Sequence, residues 1–151
     1  MADYSINKLS EKDINRAYRF IYIFEKEVYN KYGTFNFESQ EIKHFCREYG
    51  MNKKVKRNTK LSNNYFWFDT RKVKGAQNSD YAHNLLRHIR NAMAHGNFKK
   101  ERNKKAFYIL EDYDKNNNQT MYGQMSADIF WKYLNIVLHS SPMIDNNIKF
   151  N

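Results

Sequence analysis

The sequence predicts a mainly α-helical fold: a bundle of about four to five helices with one small β-hairpin, in a single domain spanning residues 1–151. Three observations lead there. Apolar residues recur at spacings of three and four along several segments. Breakers are scarce, with 5 Gly and 1 Pro, so the periodic segments can run on. One Asn-rich gap separates two short runs in the C-terminal half, the pattern of a hairpin turn. A chain of 151 residues can bury a core without disulfides or a structural metal.

The first helix is expected from Lys12 to Tyr32, with Ile14, Ala17, Ile21, Phe24 and Val28 inward and Ser10 with Asp13 as its cap. Gly33 ends it. Ser39 to Tyr49 reads as the second helix, with Ile42, Phe45 and Cys46 inward and Gly50 as its breaker. Met51 to Asp80 is less periodic. Lys53, Lys54, Lys56, Arg57 and Lys60 lead into Tyr65-Phe66-Trp67-Phe68, then Arg71, Lys72 and Lys74. Its aromatics belong to the core, since large aromatics are usually buried, while its lysines suit either a solvated loop or a nucleic-acid surface.

Tyr81 to His95 is the clearest helix: Ala82, Leu85, Leu86, Ile89, Ala92 and Met93 form one stripe, Asp80 is placed to cap it and Gly96 to end it. A basic linker follows (Lys99, Lys100, Arg102, Lys104, Lys105). Ala106 to Asp112 and Gln119 to Met125 then pair as the hairpin across Asp114 to Asn118. Ser126 to Leu138 closes the fold as a helix, with Ile129, Phe130, Tyr133, Leu134 and Val137 apolar and Pro142 beyond its end; the tail is expected to fray.

The balance of 26 basic against 16 acidic residues, net +10, favours a polyanion such as RNA at the surface. The 25 aromatics (12 Tyr, 11 Phe, 2 Trp) argue against disorder. A lone cysteine, Cys46, allows neither an internal disulfide nor a thiolate zinc cage. Met1 to Asn7 shows no secretory leader, and the most apolar run, Phe20 to Phe24, is far short of the roughly 20 residues of a membrane span. A cytoplasmic protein without membrane contact is expected.

On the Tyr81–His95 helix, Asn84, His88, Asn91 and His95 fall together opposite the apolar arc. Four stacked polar side chains need partners if that face is buried and none if it meets water. Arg90 and His95, five residues apart, stand roughly 140° apart around a regular helix. They can share a substrate if the helix unwinds at His95, or if two copies pair across a two-fold axis and each lends residues to one cleft. A histidine that moves a proton and an arginine that holds a phosphate suit cleavage of RNA by its own 2′-hydroxyl.

Other chemistries find no support. His83, His88 and His95 are spaced so that three ligands do not share a face, so no metal and no cofactor is expected. His44 and Cys46, two apart on a helix, point away from one another. No GxGxxG, GxxxxGK[ST] or serine-nucleophile motif is present.

An Arg and a His at this spacing arise by chance about once in four such chains, so the weight lies in their context. Leu86-Arg87-His88-Ile89-Arg90-Asn91-Ala92-Met93-Ala94-His95-Gly96-Asn97-Phe98 resembles the signature of the HEPN superfamily: an Arg, usually a polar Asn, Asp or His beside it, and a His four to six residues on. The resemblance implies an HEPN-like helical bundle that commonly dimerises, with motif helices of two chains forming one cleft. It further implies a metal-independent endoribonuclease leaving 2′,3′-cyclic phosphates, often a toxin or phage-defence effector, with RNA and an antitoxin or defence-complex partner. Arg90 and His95 match the catalytic pair and Asn91 the polar residue. Arg87, His88, Lys99, Lys100, Arg102, Lys104 and Lys105 are then expected to bind RNA. Some family toxins carry a Tyr two residues after the His that a nucleotidyltransferase antitoxin modifies; here that residue is Asn97. The alternatives are a non-catalytic module binding RNA or a nucleotide, and a structural dimer whose interface is the polar stripe.

Overall fold

The computed structural model describes residues 7–31, 33–51, 63–69 and 81–150. Helix α1, Glu11–Ile23, opens on a capping box: Asp13 N–H donates to Ser10 Oγ at 3.1 Å, and Ser10 N–H donates back to the Asp13 carboxylate at 2.9 Å. It runs into a π-helical turn, Phe24–Val28, closed by Tyr29 N–H donating to the Phe24 carbonyl at 2.8 Å. The buried face is Ala17, Phe20, Ile23, Phe24 and Val28. Ile14, expected inward, is 41% exposed, and Ile21 is only partly buried. Phe20 packs its ring 4.5 Å from that of Phe150, so the helix turns its larger Phe20–Phe24 side to the core.

Helix α2, Gln40–Glu48, is capped by Ser39 and buries Ile42, Phe45 and Cys46, as its period requires. Tyr65–Phe68 forms β1, and Tyr81–Ala94 forms α3. Strands β2 (Phe98–Asn103), β3 (Lys105–Tyr113) and β4 (Gln119–Ser126) precede helix α4, Ala127–Leu138. The basic run Lys53 to Lys60, the cluster Arg71 to Lys74 and the capping residue Asp80 lie outside the described residues.

The expectation of a mainly helical bundle with one hairpin is overturned. The described residues form four α-helices and an antiparallel sheet of four strands in the order β1-β4-β3-β2, a mixed α/β architecture. The expected hairpin is its centre, β3 with β4. The supposed basic linker is β2, paired along its whole length with β3 and turning at Lys104, where φ is +66°. Its charges disguise it, but pairing uses backbone groups that every residue carries. Lys100 reaches inward to the Asp13 carboxylate at 3.0 Å, while Lys99 pairs with Glu101 at 3.5 Å. The aromatic run of β1 pairs with β4, and the Phe66 ring lies so close over Gly123 that a Cβ there would collide with it.

Along β3, Tyr108, Leu110 and Asp112 alternate onto the inner face. Helix α3 packs against that face and also against α1, the π-helical turn and α4, so it is buried nearly all round. The tail does not fray: Phe150 and Ile144 are buried, and Phe150 N–H donates to Asn135 Oδ1 at 2.9 Å. Among the described residues no helix is long and apolar enough to cross a membrane.

A buried carboxylate ties α1 to the sheet. Asp13 accepts from the Tyr108 hydroxyl at 2.5 Å and from Lys100, and Trp131 Nε1–H donates to the same hydroxyl at 3.4 Å. Burial works to raise the Asp13 pKa, but the hydrogen bonds from Tyr108, Ser10 and Lys100 outweigh it and hold the carboxyl below its ordinary 3.8. A depressed folded pKa contributes stability that is present above the unfolded value and lost as pH falls through the folded one. Asp13→Asn is expected to cost about 2–3 kcal/mol at pH 7, since bonds to a charged group are replaced by weaker ones. Wild type alone should shed this difference as the pH drops below 3.8. Urea unfolding at pH 7 and pH 3 checks it, and equal stability of the two forms at pH 7 contradicts it.

Candidate active site

The motif helix ends where its sequence says it should. Gly96 takes φ +77°, Asn97 N–H donates to the Ala92 carbonyl at 2.8 Å, and Gly96 N–H donates to that of Met93 at 3.3 Å. These bonds make the left-handed C-terminal cap in which glycine avoids the Cβ penalty. His95 is therefore the capping residue just past Ala94, exposed, with its backbone N–H still bonded to the Asn91 carbonyl at 3.0 Å.

Arg90 sits one turn back, half-buried, between two elements. Its Nε lies 2.6 Å from Oε1 of Glu25 on the π-helical turn, an ion pair off the line of a hydrogen bond, and its Nη1 donates to Asn91 Oδ1 at 3.0 Å. Among the described residues its other guanidinium N–H groups have no hydrogen-bond partner. A π-helical turn inserts one residue into a helix and is common at functional sites; here it carries Glu25 to the arginine.

Asn91 also donates through Nδ2 to Asp112 Oδ2 at 3.2 Å. That same oxygen receives Nδ1–H of His88 at 2.8 Å, and Oδ1 receives the backbone N–H of Tyr113 at 2.9 Å. Asp112 and His88 are each 2% exposed. The β3–β4 register shifts between Asp112 and Tyr113, a bulge of the kind that re-aims a side chain. Burial works to raise the Asp112 pKa, but His88, by hydrogen bond and charge, then Asn91 and the Tyr113 N–H, hold the carboxyl below its ordinary range. On the other side of the His88 ring, Nε2 lies 3.0 Å from the Asp69 carbonyl and 3.2 Å from Arg87 Nη2. A doubly protonated ring donates to both oxygens; a neutral one accepts from Arg87. The Arg87 pKa is lowered by burial and supported by the charge of Asp112.

The polar stripe thus divides. His88 and Asn91 meet the sheet, Asn84 is 1% exposed and unpaired among the described residues, and His95 alone stands in the open. His83 turns elsewhere, its Nε2 facing the Val28 and Tyr29 carbonyls at 3.1 and 3.2 Å. His44 is exposed beside Glu48 at 3.7 Å, while Cys46 is buried, so they do not meet. Of the cations expected at RNA, Arg102, Lys104 and Lys105 are exposed, Lys99 and Lys100 are paired with carboxylates, and Arg87 lies half-buried against His88. Sequence reasoning misses Glu25 and Asp112. A lone carboxylate on the apolar-facing side of a strand is a signal that points to Asp112; nothing local points to Glu25.

A family described as HEPN pEK499 p136 matches residues 11–147. No curated protein and no solved structure gives a significant match. The match takes in α1, α3, the whole sheet and α4, and with them every residue of the cluster around Arg90.

The cap makes a direct demand on Gly96. Nothing crowds the position, so any penalty is conformational. Gly96→Ala is expected to lower unfolding free energy by about 1–2 kcal/mol, the cost of a left-handed L-residue, with the circular dichroism spectrum unchanged. Unaltered stability in denaturant contradicts the assigned helix end.

Proposed function

Because this chain belongs to the HEPN family, whose domains are often ribonucleases and often bind RNA and dimerise, we propose that it is a metal-independent endoribonuclease with a composite Arg90/His95 site. The observation that carries the reading is the contrast between two side chains on one helix. Arg90 is held by Glu25 and Asn91, with N–H groups that have no partner among the described residues, and His95 is exposed at the helix end. A held cation to bind a phosphate and an exposed imidazole to move a proton are the two groups the reaction needs.

The proposed step is transesterification. His95, or its partner's copy, removes the proton of the ribose 2′-hydroxyl; the oxygen attacks phosphorus, the P–O5′ bond breaks, and O5′ leaves with a proton given by the imidazolium. Arg90 neutralises the charge that gathers on the non-bridging oxygens. The products are a 2′,3′-cyclic phosphate and a 5′-hydroxyl end. Asn91 orients the arginine.

The helix stays regular through Ala94, so Arg90 and His95 of one chain remain roughly 140° apart around its axis. This supports the two-fold arrangement, in which one chain's arginine meets the other's histidine. The exposed Arg102, Lys104 and Lys105 then lead RNA to the cleft, and the activity is of the kind that toxins or phage-defence effectors of this family carry.

The test is incubation of labelled single-stranded RNA with the protein in excess EDTA. Wild type is expected to cleave and to leave 2′,3′-cyclic ends, while His95→Ala and Arg90→Ala each lose about 100-fold or more in rate and His95→Ala keeps its affinity for RNA. Equal cleavage by all three forms contradicts the site. Salt-sensitive binding without cleavage by wild type replaces the reading with a binding module.

A further inference from the structure

We infer that Asp112 is a positioning residue for Arg90, acting through Asn91, and that the register shift beside it, where β4 carries Thr120 as an extra residue, aims it; the inference deepens the proposed function and rests on it for the consequence in catalysis. The distances form an unbroken line. Asp112 Oδ2 accepts from Asn91 Nδ2 at 3.2 Å, Asn91 Oδ1 accepts from Arg90 Nη1 at 3.0 Å, and Glu25 faces Arg90 Nε from the other side at 2.6 Å. Asn91 is an amide whose two ends face opposite ways. Without a fixed acceptor for its Nδ2, nothing in the described residues stops the side chain from turning and presenting that end to Arg90, a donor facing a donor.

Asp112 can serve as that fixed acceptor because it is itself held on every side. The backbone N–H of Tyr113 takes Oδ1, and His88 and Asn91 share Oδ2. A carboxylate this buried is costly unless fully bonded, and only an ionised one accepts from all three donors. An amide at position 112 fails on one side. If its oxygen meets Tyr113, its NH2 faces the donors of His88 and Asn91; if it turns over, Tyr113 loses its acceptor. The register shift between Asp112 and Tyr113 brings the carboxylate and that N–H into this geometry. His88, buried and bonded on both ring nitrogens, belongs to this scaffold. In this scheme it is a partner of Asp112 and carries no proton to substrate.

The experiment reads the arginine itself and so does not require cleavage. Protein labelled with ¹⁵N at arginine side chains is compared as wild type, Asp112→Asn, Asn91→Ala and the combination of the last two. The Arg90 Nε signal, assigned by its loss in Arg90→Lys, is expected to be sharp and slow to exchange in wild type. It should broaden about equally in Asp112→Asn and Asn91→Ala, with no further change in the combination, because both cut one line. In parallel, RNA affinity should stay within about threefold for Asp112→Asn while kcat falls at least tenfold. The exchanged pair Asn91→Asp with Asp112→Asn, which keeps an acceptor for Arg90 and a donor behind it, should sharpen the signal above that of Asp112→Asn alone and recover part of the rate, since only His88 then lacks its acceptor. An unchanged Arg90 signal in Asp112→Asn, or independent broadening that adds in the combination, overturns the inference. Should Asp112→Asn not fold, Asn91→Asp decides: it keeps an acceptor for Arg90 but sets a carboxylate against Asp112 in place of a donor, so the Arg90 signal must broaden, and a signal as sharp as in wild type overturns the inference. Failure of wild type to cleave RNA bears on the proposed function only, whatever the arginine signal shows.

Discussion

Asp112 lies between β3 and the polar side of α3, ionised in a place where an unpaired carboxylate could not remain, and the motif end of the molecule is organised by the need to bond it. A helix buried nearly all round needs partners for the polar side chains it carries inward, and among the described residues Asn84 has none. Here one carboxylate answers for two of them, His88 and Asn91, and through Asn91 for the orientation of Arg90. The sheet is thus part of the site, because β3 supplies the acceptor beside its register shift against β4.

A second buried carboxylate repeats the logic at the start of the chain. Asp13 closes the cap of α1 and simultaneously accepts from Tyr108 and Lys100 on β3 and β2. Helix α1 is thereby fixed to the sheet at its N-terminal end, and its continuation into the π-helical turn reaches α3 with Glu25 beside Arg90. The arginine is held between elements that are separately anchored to the same strands. Surface ion pairs contribute little to stability, and Glu25 is half-exposed, so its pairing with Arg90 is better understood as orientation than as a source of stability.

Much of this is legible in the amino-acid sequence. The helices and their ends follow from period, caps and breakers: Ser10 with Asp13, Ser39, Gly50 and Gly96 act where their residue types place them. The central hairpin follows from its Asn-rich turn. Strand β2 does not, because Phe98–Asn103 has one apolar residue followed by charges and polar groups, and its pairing depends on backbone bonds that leave no mark on composition. Strand β1 is four aromatics in a row without alternation, which a periodicity argument cannot tell from a core segment. The tail reads as free because its anchors, Phe20 and Asn135, lie far away or on a different element. In the site, Arg90, Asn91 and His95 are local and stand out as a motif. Asp112 and Glu25 are 21 and 65 positions from their partners, and only the folded chain brings them together.

Arg90 is oriented by the scaffold and His95 is exposed at the helix end, on one helix but on different sides of it. The central claim is that two chains complete each other, and subunit mixing tests it most directly. Arg90→Ala and His95→Ala proteins, each inactive alone, are mixed in equal amounts, allowed to exchange subunits and assayed on RNA in EDTA. Half of the dimers then carry one fully intact composite site, so the mixture should recover about a quarter of wild-type activity. A mixture as inactive as its components contradicts a site built across the two-fold axis.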